Sequence, residues 1–585
     1  MSATAPSTAA SAQSAATTIS IYDTLTKQKR PFVPVTPGKV GIYLCGPTVY
    51  KESHIGHMVG PVIFDCIKRY FTYSGYEVTW VVNITDVDDK LIAESVRRGL
   101  PMADVADEMT QDYLHNLAAF GVDQIDQMPR ATETMDEIIE FIAALIEQGF
   151  AYESEGDVYF ETGKDPQYGK LSNRTTDSLQ GEGGEAAQRK RSLGDFALWK
   201  AAKEGQPSWD SPWGSGRPGW HIECSAMSRA RLGETFDIHG GGLDLLFPHH
   251  ENEVAQSECR HGKPMANFWM HNGLMRAGAS AGKLGGRADR EQQQVEQATV
   301  ATKISRSGGA GGLADLVARQ GGERLRFFLL RTQYRSTIVF SEAEVEQSGA
   351  GLETFYRLFK RYERITGESY YDVDAPRFRG AGAFDPGDDD TLMSVAAHRQ
   401  HFIESMDDDF NTGAAVADLF EIARTLNRYA DQADLEASGK DDPAKLAVFK
   451  QGARTLRELS GTLGLFIRPI QSAGGEDQET LEGVIGLLAS IRQDARAAKN
   501  FELGDAIRDQ LQAAGVTLLD RPDATEWEIQ PTGNQLDALM QSVIKIRADA
   551  RVAKDFAIAD KIRDALQSQS ITLEDRAGGT EWDKS

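Results

Sequence analysis

The chain has 585 residues, of which 41% are hydrophobic and 26% are charged, and its formal net charge at pH 7 is −24. The length exceeds what one hydrophobic core supports, so we expect three or more domains. The acidic charge excludes indiscriminate nucleic-acid binding, although a local basic patch still permits a specific RNA partner. Four cysteines in so long a chain exclude a disulfide framework and favour reduced thiols.

No apolar run approaches the ~20 residues that a membrane-spanning helix needs. Residues 1–20 are rich in Ala, Ser and Thr and lack both the basic start and the apolar stretch of a signal peptide. We therefore expect a disordered tail at 1–20, no membrane association and a cytoplasmic location.

The stretch 41–57, GIYLCGPTVYKESHIGH, carries the first chemical signal. Its apolar beginning, Gly41–Cys45, is typical of a buried strand that ends at a Gly-Pro pair. Apolar residues spaced three and four apart from Val59 onward predict a helix. A strand that leads through a loop into a helix N-terminus forms an anion site, because unpaired N–H groups point at the loop. His54 and His57 would therefore face a bound triphosphate.

The next strand, Glu77–Asn83, is followed by the polar residues 84–90. Strand, helix and strand with polar groups at the strand ends predict a doubly wound α/β domain. Helical patterns continue to about residue 148, and the Gly-rich, charged stretch that follows is predicted to be an insertion. Its basic cluster, 188–191, is interpreted as a solvated loop, with an RNA contact as the alternative.

Three glycines follow the next predicted strand, Phe236–His239. They are Gly240, Gly241 and Gly242, and they would let the backbone approach a flat or anionic ligand, although any tight loop could use them. The pattern turns helical from Ser341, and residues 373–390 predict a linker before further helices. The acidic run at 407–409 is interpreted as complementing the dipole of the helix that follows.

The C-terminus contains an internal repeat at an offset of 55. Residues 491–527 and 546–582 are identical at 21 of 37 positions, too many for shared helical composition to explain. Each copy is predicted to form two helices and a short β-like stretch. Arg492, Arg496 and Lys499 line one predicted helix face of the first copy. We interpret that face either as solvated or as a surface for RNA.

Residues 303–309, KISRSGG, resemble the mobile Lys-Met-Ser-Lys-Ser loop that class I aminoacyl-tRNA synthetases pair with a His-Ile-Gly-His. With Cys45 placed nine residues before His54, the chain resembles the cysteinyl-tRNA synthetases. The resemblance covers roughly residues 21–585. It implies an α/β fold with a Rossmann-like nucleotide-binding domain and an insertion, then an α-helical tRNA-binding bundle and a small duplicated α+β unit.

The domain bounds that follow from this resemblance are given in chain order. They are a tail (1–20), the first half of the catalytic domain (21–150), an insertion (151–216), the second half of the catalytic domain (217–275), a flexible insertion (276–302), the mobile loop and stem-contact helices (303–372), a linker (373–390), the helical bundle (391–475) and two C-terminal repeats (476–530 and 531–585).

Cys45, Cys224, His249 and Glu253 are candidate metal ligands, since two thiolates, an imidazole and a carboxylate suit tetrahedral Zn²⁺. His249 and Glu253 are four residues apart, so a helix there would place both on one face. The resemblance supports each position because each lies in a short sequence segment that matches the family. It implies that zinc binds the substrate thiolate and rejects serine without an editing site. Cys66 and Cys259 are interpreted as structural.

The resemblance implies ATP-dependent activation of L-cysteine to cysteinyl-adenylate and transfer to tRNA(Cys), by a monomer that uses Mg²⁺ with its ATP. It also implies a role for each matching residue. His54, His57, Lys303 and Arg306 would contact the phosphates; Thr85 and Trp220 would line the cysteine pocket; Asp244 would hold the amino group; and Gly240, Gly241 and Gly242 would lie against the adenosine.

Two features depart from the family pattern. Arg306 stands where the family has a second lysine, and Lys303 lies thirty residues past Gly273 instead of shortly after it. Two other functions remain open. One is a related ligase that joins cysteine to an amino sugar, which residues 390–585 disfavour. The other is a catalytically inactive tRNA-binding relative, which the retained His54, His57 and Lys303 disfavour.

Overall fold

The computed structural model describes residues 19–174, 188–277, 312–469, 475–520, 525–529, 535–553, 555–569, 571–576 and 579–584. The chain forms two compact units, Met1–Pro469 and Ile470–Ser585. The predicted tail at 1–20 and the predicted flexible insertion at 276–302 fall almost entirely outside the described residues. Within those residues, no helix combines the length and the apolar character that crossing a membrane requires.

The elements of the first unit are numbered in chain order. Its strands are β1 (Ser20–Asp23), β2 (Gln28–Pro31), β3 (Lys39–Leu44), β4 (Glu77–Val82), β5 (Ala151–Ser154), β6 (Asp157–Phe160), β7 (Phe196–Ala201), β8 (Gly216–Pro218), β9 (Phe236–Gly242), β10 (Ala266–Asn272), β11 (Met275–Ala277) and β12 (Ile338–Phe340). Its α-helices are α1 (Gly56–Tyr73), α2 (Asp89–Arg98), α3 (Met102–Ala119), α4 (Met135–Glu147), α5 (Trp220–Leu232), α6 (Glu251–His261), α7 (Leu313–Gln320), α8 (Gly322–Leu330), α9 (Glu342–Thr366), α10 (Asp390–Asp407), α11 (Thr412–Gln432) and α12 (Pro443–Thr462).

The central sheet of the first unit has four parallel strands in the order β10-β9-β3-β4. The strands β3 and β4 pair along six residues, and α1 connects them. On the other side of β3, Ile42 lies opposite Ile238 of β9. The winding direction therefore reverses between β3 and β9, and doubly wound sheets bind their ligands at this point. The predicted α/β class with a parallel sheet is confirmed.

The three glycines lie inside β9, where they pair with the end of β10, and not in a loop after a shorter strand. A Cβ atom on Gly240 would lie 2.1 Å from the Phe64 ring, and one on Gly241 would lie 2.6 Å from His250. Glycine is therefore required here because α1 and His250 pack directly on the strand. The expectation of a loop at 240–242 was wrong for this steric reason.

The insertion contains a four-stranded antiparallel sheet, β5-β6-β7-β8. Arg189 of its basic cluster pairs with Asp157 at 2.9 Å, and Arg191 pairs with Glu161 at 2.9 Å. Both guanidinium groups are thus engaged by acidic partners within the insertion itself. These ion pairs favour the interpretation of the cluster without an RNA contact.

Arg326 of α8 is 1% exposed and joins three parts of the first unit. Its guanidinium donates hydrogen bonds to the carbonyls of Leu463 (3.0 Å), Phe120 (3.2 Å) and Gly121 (3.1 Å). It also forms an ion pair with Asp65, a residue of α1 that has no exposed side-chain surface. The end of α3, the middle of α1 and the end of α12 therefore meet at one buried cation.

The second unit consists of the two repeats. The first copy contains α13 (Gly475–Ala497), α14 (Phe501–Ala513), β13 (Val516–Asp520) and β14 (Thr525–Ile529), and the second contains α15 (Gln535–Val552), α16 (Phe556–Gln567), β15 (Ile571–Arg576) and β16 (Gly579–Lys584). Each pair of strands is antiparallel. One apolar core includes side chains of both copies, such as Ile491 and its repeat equivalent Ile546.

The predicted basic face of the first copy is only partly exposed. Arg496 and Lys499 are exposed, whereas Arg492 is 5% exposed. A face that is continuous in sequence periodicity is therefore interrupted in the folded unit, where the stem of Arg492 lies beside Gly504 of α14. Lys554, the equivalent of Lys499 in the second copy, lies outside the described residues.

Replacing Arg326 by Met should destabilise the first unit by about 3–5 kcal/mol, because Asp65 loses a buried partner and three carbonyls lose a donor. Arg319→Met is the matched control, since Arg319 pairs with Glu342 at the surface and such pairs contribute about 0–1 kcal/mol. Urea denaturation followed by circular dichroism measures both variants. Equal midpoints for the two variants would contradict the importance of the buried pair.

Candidate active site and metal centre

The candidate site lies at the carboxyl ends of β3 and β9. Cys45 follows the last residue of β3, and its N–H donates to the carbonyl of Gly240 in β9 (3.2 Å). Cys224 comes from the second turn of α5, His249 from the turn that precedes α6, and Glu253 from the first turn of α6. Three separate segments of the chain are thus brought to one place: the end of β3, the start of α5, and the turn with the first residues of α6.

The four predicted ligands form one cluster. The Cys45 Sγ atom lies 3.7 Å from Cys224 Sγ, 3.5 Å from His249 Nε2 and 3.5 Å from Glu253 Oε1. His249 Nε2 lies 3.1 Å from the same Glu253 oxygen. All four donor atoms lie within 4.8 Å of one another, and three of the four residues are buried.

These separations suit a tetrahedral metal site. With bonds of about 2.3 Å to sulfur and about 2.0 Å to nitrogen or oxygen, a tetrahedral Zn²⁺ holds two sulfurs about 3.8 Å apart, sulfur and nitrogen about 3.5 Å apart, and nitrogen and oxygen about 3.3 Å apart. The structure has 3.7, 3.5 and 3.1 Å for these three edges. The donor set therefore fits zinc in geometry as well as in chemistry.

Further histidines surround the ligands. His239 Nε2 lies 2.8 Å from Glu253 Oε2, the oxygen that faces away from His249, and His221 Nδ1 lies 2.9 Å from His249 Nδ1. Hydrogen bonds from outer groups orient metal ligands and fix the tautomer of a ligating imidazole. Sequence reasoning missed both histidines, although His221 lies three residues before Cys224 and His239 lies one residue before the glycines.

Burial determines the protonation of this cluster. It lowers the pKa of His249 well below the ordinary value, so the imidazole is neutral and its nitrogen is free to bind a cation. Burial also raises the pKa of Cys45 well above the ordinary value, with the neighbouring thiol of Cys224 and the carboxyl of Glu253 acting in the same direction. Without a bound cation the two thiols would therefore remain protonated. Metal binding and thiol deprotonation are consequently coupled here.

Trp220 and Thr85 lie on two sides of the ligands. Trp220 begins α5, is 40% exposed and stacks on His249 with ring centroids 4.3 Å apart. Thr85 is buried, and its hydroxyl donates to Glu223 (3.1 Å) and accepts from Asn83 (3.2 Å). The chain thus offers an aromatic wall and a fixed hydroxyl near the cluster. Sequence reasoning assigned no role to the buried Glu223.

The two histidines of the first motif stack on each other at the start of α1, with ring centroids 3.8 Å apart. Burial lowers the pKa of His57 to about 3, with His54 adding to the effect. Burial also lowers the pKa of His54, against an opposing influence of the Asp244 carboxylate. Both imidazoles are therefore neutral near pH 7. Asp244 lies on the exposed loop after β9, close enough to act on His54 electrostatically.

The remaining predicted contacts are placed as follows. Gly240, Gly241 and Gly242 form the end of β9 beside the metal ligands. Lys303 and Arg306 lie outside the described residues, in the stretch between β11 and α7. The strand β11 precedes that stretch and pairs in parallel with β12, which follows α8 in the chain.

Two protein-family profiles match the chain. The profile "tRNA synthetases class I (C) catalytic domain" matches residues 31–281, and the DALR domain profile matches residues 401–467. Among solved structures, the chain is similar to a methionyl-tRNA synthetase of Mycobacterium tuberculosis bound by methionyl-adenylate, with a TM-score of 0.51 and 14% identity. That similarity covers 76% of this chain and 94% of the other. At this identity it establishes the fold, a class I synthetase catalytic domain followed by a helical domain.

Curated relatives extend the similarity to almost their whole length. The chain is 44% identical over 512 residues to the cysteine--tRNA ligase of Halalkalibacterium halodurans and 43% identical over 513 residues to that of Brevibacillus brevis. Each match covers 87% of this chain and 99% of the relative. With the geometry of the site, these matches establish that the chain belongs to the cysteine--tRNA ligase family of class I aminoacyl-tRNA synthetases.

Proposed function

We propose that Cys45, Cys224, His249 and Glu253 bind one zinc ion and that this ion selects L-cysteine for transfer to tRNA(Cys). The observation that supports the proposal is the set of donor separations, which match the edges of a zinc tetrahedron. A bound zinc ion supplies a soft Lewis acid that favours a thiolate over the hydroxyl of serine. Serine would therefore be rejected without a separate editing site.

The residues around the ligands would orient the amino acid. Trp220 is held flat against His249 and would form one wall of the cysteine pocket. Because Thr85 uses its proton toward Glu223 and accepts from Asn83, its remaining lone pair would accept a hydrogen bond from the substrate ammonium. Asp244 would add a negative charge near the same group.

Neutral histidines suit the ATP side of the site. An imidazole that is neutral at pH 7 still donates through its one N–H group, so His54 and His57 would hydrogen-bond phosphate oxygens without adding charge. Positive charge would come instead from Lys303 and Arg306 and from Mg²⁺ bound to the phosphates. Arg306 carries a planar guanidinium group where the family has the ammonium group of a lysine. We therefore expect Arg306 to contact two phosphate oxygens at once.

The proposal also covers partners and location. The DALR match at 401–467 supports tRNA binding by the helices α10 to α12. All four cysteines are free, as expected in a reducing compartment, so we propose a cytoplasmic enzyme that acts as a monomer. The names of the curated relatives favour tRNA charging over the joining of cysteine to an amino sugar and over an inactive tRNA-binding role.

The direct test is charging of total tRNA with labelled cysteine, with labelled serine as the control amino acid. We expect ATP-dependent charging with cysteine alone. Folded, zinc-loaded protein that charges neither amino acid would contradict the proposed function. Charging of an amino sugar in place of tRNA would support the ligase alternative.

Replacing Cys224 by Ser should reduce zinc affinity by on the order of 100-fold or more, because one of the two thiolate ligands of the chain is lost. The KM for cysteine in ATP–pyrophosphate exchange should rise with the loss of zinc, while the KM for ATP should change little. Metal content by atomic absorption and exchange kinetics measure both effects. Cys259→Ser is the matched control, since Cys259 is not one of the candidate ligands. Full zinc content in Cys224→Ser would exclude Cys224 as a ligand.

Acidification should destabilise the folded chain through His57. Its pKa is about 3 when folded and about 6.5 when unfolded, so between these values only the unfolded chain takes up the proton. Stability is therefore lost as the pH falls below about 6.5, by about 2 kcal/mol between pH 7 and pH 5. His57→Gln should lose correspondingly less stability over this range, as measured by denaturant titration at both pH values. The exposed His115 provides the control, and His115→Gln should behave like the wild type.

A further inference from the structure

Asp409 is a buried carboxylate that the site described above does not use. It lies between α10 and α11, is 0% exposed and has a φ of +64°, and the following Phe410 has a φ of +50°. Two consecutive residues other than glycine in the left-handed region persist only where surrounding contacts hold them. This conformation therefore indicates that the position of Asp409 is fixed from several sides.

The expectation that the run at 407–409 complements a helix dipole was wrong. The cap of α11 is Asn411, whose side chain accepts from the N–H of Ala414. Asp407 pairs with Arg379 (2.8 Å), and Asp408 pairs at the surface with Lys29 (2.5 Å). Each of the three carboxylates thus has its own partner: Asp407 and Asp409 are buried, and only Asp408 faces solvent.

The carboxylate of Asp409 accepts hydrogen bonds from two different segments. Oδ1 accepts from the backbone N–H of Tyr22 in β1 (2.8 Å) and from the hydroxyl of Tyr334 (2.9 Å). Oδ2 accepts from Arg335 (2.8 Å) and Gln333 (3.3 Å). The backbone N–H of Asp409 donates to the carbonyl of Ser20 (2.9 Å). One side chain therefore joins the start of β1 to residues 333–335.

Residues 333–336 contact the chain directly after β10. The N–H of Gly273 donates to the carbonyl of Tyr334 (2.8 Å). A Cβ atom on Gly273 would lie 2.0 Å from the carbonyl oxygen of Ser336, so the two backbones are in direct contact. The position of this segment therefore determines where β10 ends.

Asp23, the last residue of β1, and the following Thr24 bind β10 near the same end. The N–H of Thr24 donates to the carbonyl of Trp269 (2.9 Å), and the Asp23 carboxylate accepts from the N–H of Trp269 (3.0 Å). The Thr24 hydroxyl lies 2.9 Å from Nδ1 of His271. Both branches from Asp409 thus converge on His271 to Gly273.

That strand end borders the candidate site. The Asn272 carbonyl accepts from the N–H of Leu243 (3.0 Å), the residue after the glycines of β9. His271 Nε2 lies 2.8 Å from His250 Nδ1, and His250 adjoins the predicted ligand His249. Gly240, Gly241 and Gly242 on this edge are the residues that, by the resemblance to the family, would lie against the adenosine.

We propose that Asp409 is a positioning residue for ATP: it fixes the carboxyl end of β10, and with it the adenosine side of the site, from the helical part of the first unit. The proposal rests on the proposed function for the role of that edge. Because the metal ligands are held by β3, α5 and α6, Asp409 should influence ATP and not cysteine. Asp409 lies within residues 401–467, which match the DALR domain profile, so this carboxylate also connects that region with the nucleotide side of the site.

The test is cysteine-dependent ATP–pyrophosphate exchange by full-length protein, with Asp409→Asn compared against Asp408→Asn. Asparagine has the shape of aspartate but carries an NH2 group in place of one carboxylate oxygen. That NH2 group would face either the N–H of Tyr22 and the hydroxyl of Tyr334 or the donors of Arg335 and Gln333. We expect kcat/KM for ATP to fall at least tenfold in Asp409→Asn, while the KM for cysteine and the zinc content stay within twofold. Asp408→Asn should match the wild type.

A value of kcat/KM for ATP within twofold of the wild type would overturn the proposal. A proportional loss for ATP and cysteine together would also overturn it, since it would indicate only a smaller folded fraction. If Asp409→Asn does not fold, Tyr334→Phe is the second variant, because it removes a single hydrogen bond to Oδ1. A kcat/KM for ATP that falls by threefold or more in this variant supports the proposal, and an unchanged value contradicts it. The two proposals fail in different ways. Wild-type protein without exchange activity would contradict the proposed function and remove the basis of this inference. Active wild-type protein with unaffected variants would contradict this inference alone.

Discussion

The chemistry of this chain depends on one geometric constraint, which is that parallel strands end at a common edge. Cys45 reaches the metal cluster only because β3 ends beside β9, where the winding of the sheet reverses. Cys224, His249 and Glu253 arrive from helices that pack across the same edge. The ligands are separated by up to 208 residues in sequence. The fold, and not the metal, therefore assembles the donor set, in contrast to small zinc domains whose ligands occur in close pairs.

Burial then gives the site its electrostatic character. Desolvation lowers the pKa of His57, His221 and His271 to about 3, and that of His249 well below its ordinary value. A neutral imidazole can both accept and donate, so these rings link ligands to outer groups without charging the interior. The one cationic contribution that the cluster needs is then the metal. The proposed selection of a thiol by coordination would follow from the same arrangement, because a soft ligand and a low-dielectric pocket would act together.

Two buried charged residues connect distant segments of the first unit. Arg326 and Asp409 are both buried and each joins segments that are far apart in the chain. Neither is close to the metal cluster in sequence. Such residues cost desolvation free energy, and each is compensated by several hydrogen bonds. They attach the helices α8 to α12 to the sheet, so that the nucleotide side of the site and the helical part form one unit.

Much of this could be predicted before the fold was known. Hydrophobic periodicity indicated the strand at 41–45 and the helix after it, and the structure has β3 (Lys39–Leu44) and α1 (Gly56–Tyr73) there. The candidate metal ligands were recognisable mainly through the resemblance to the family, because four residues scattered along the chain are a weak signal by themselves. The glycines of β9 were misplaced because a strand packed tightly by Phe64 and His250 has the same local sequence as a tight turn.

The sequence by itself determined the α/β class, the internal repeat and the family, since these depend on periodicity and on motifs that are contiguous in the chain. Only the tertiary structure decided that His221 and His239 support the ligands, that Arg492 is largely buried, and that Asp409 faces inward while Asp408 faces solvent. The physical reason is that hydrogen-bond partners and burial are set by contacts between distant segments. A run of three aspartates reads as uniform charge in sequence, and only packing assigns each carboxylate its own partner.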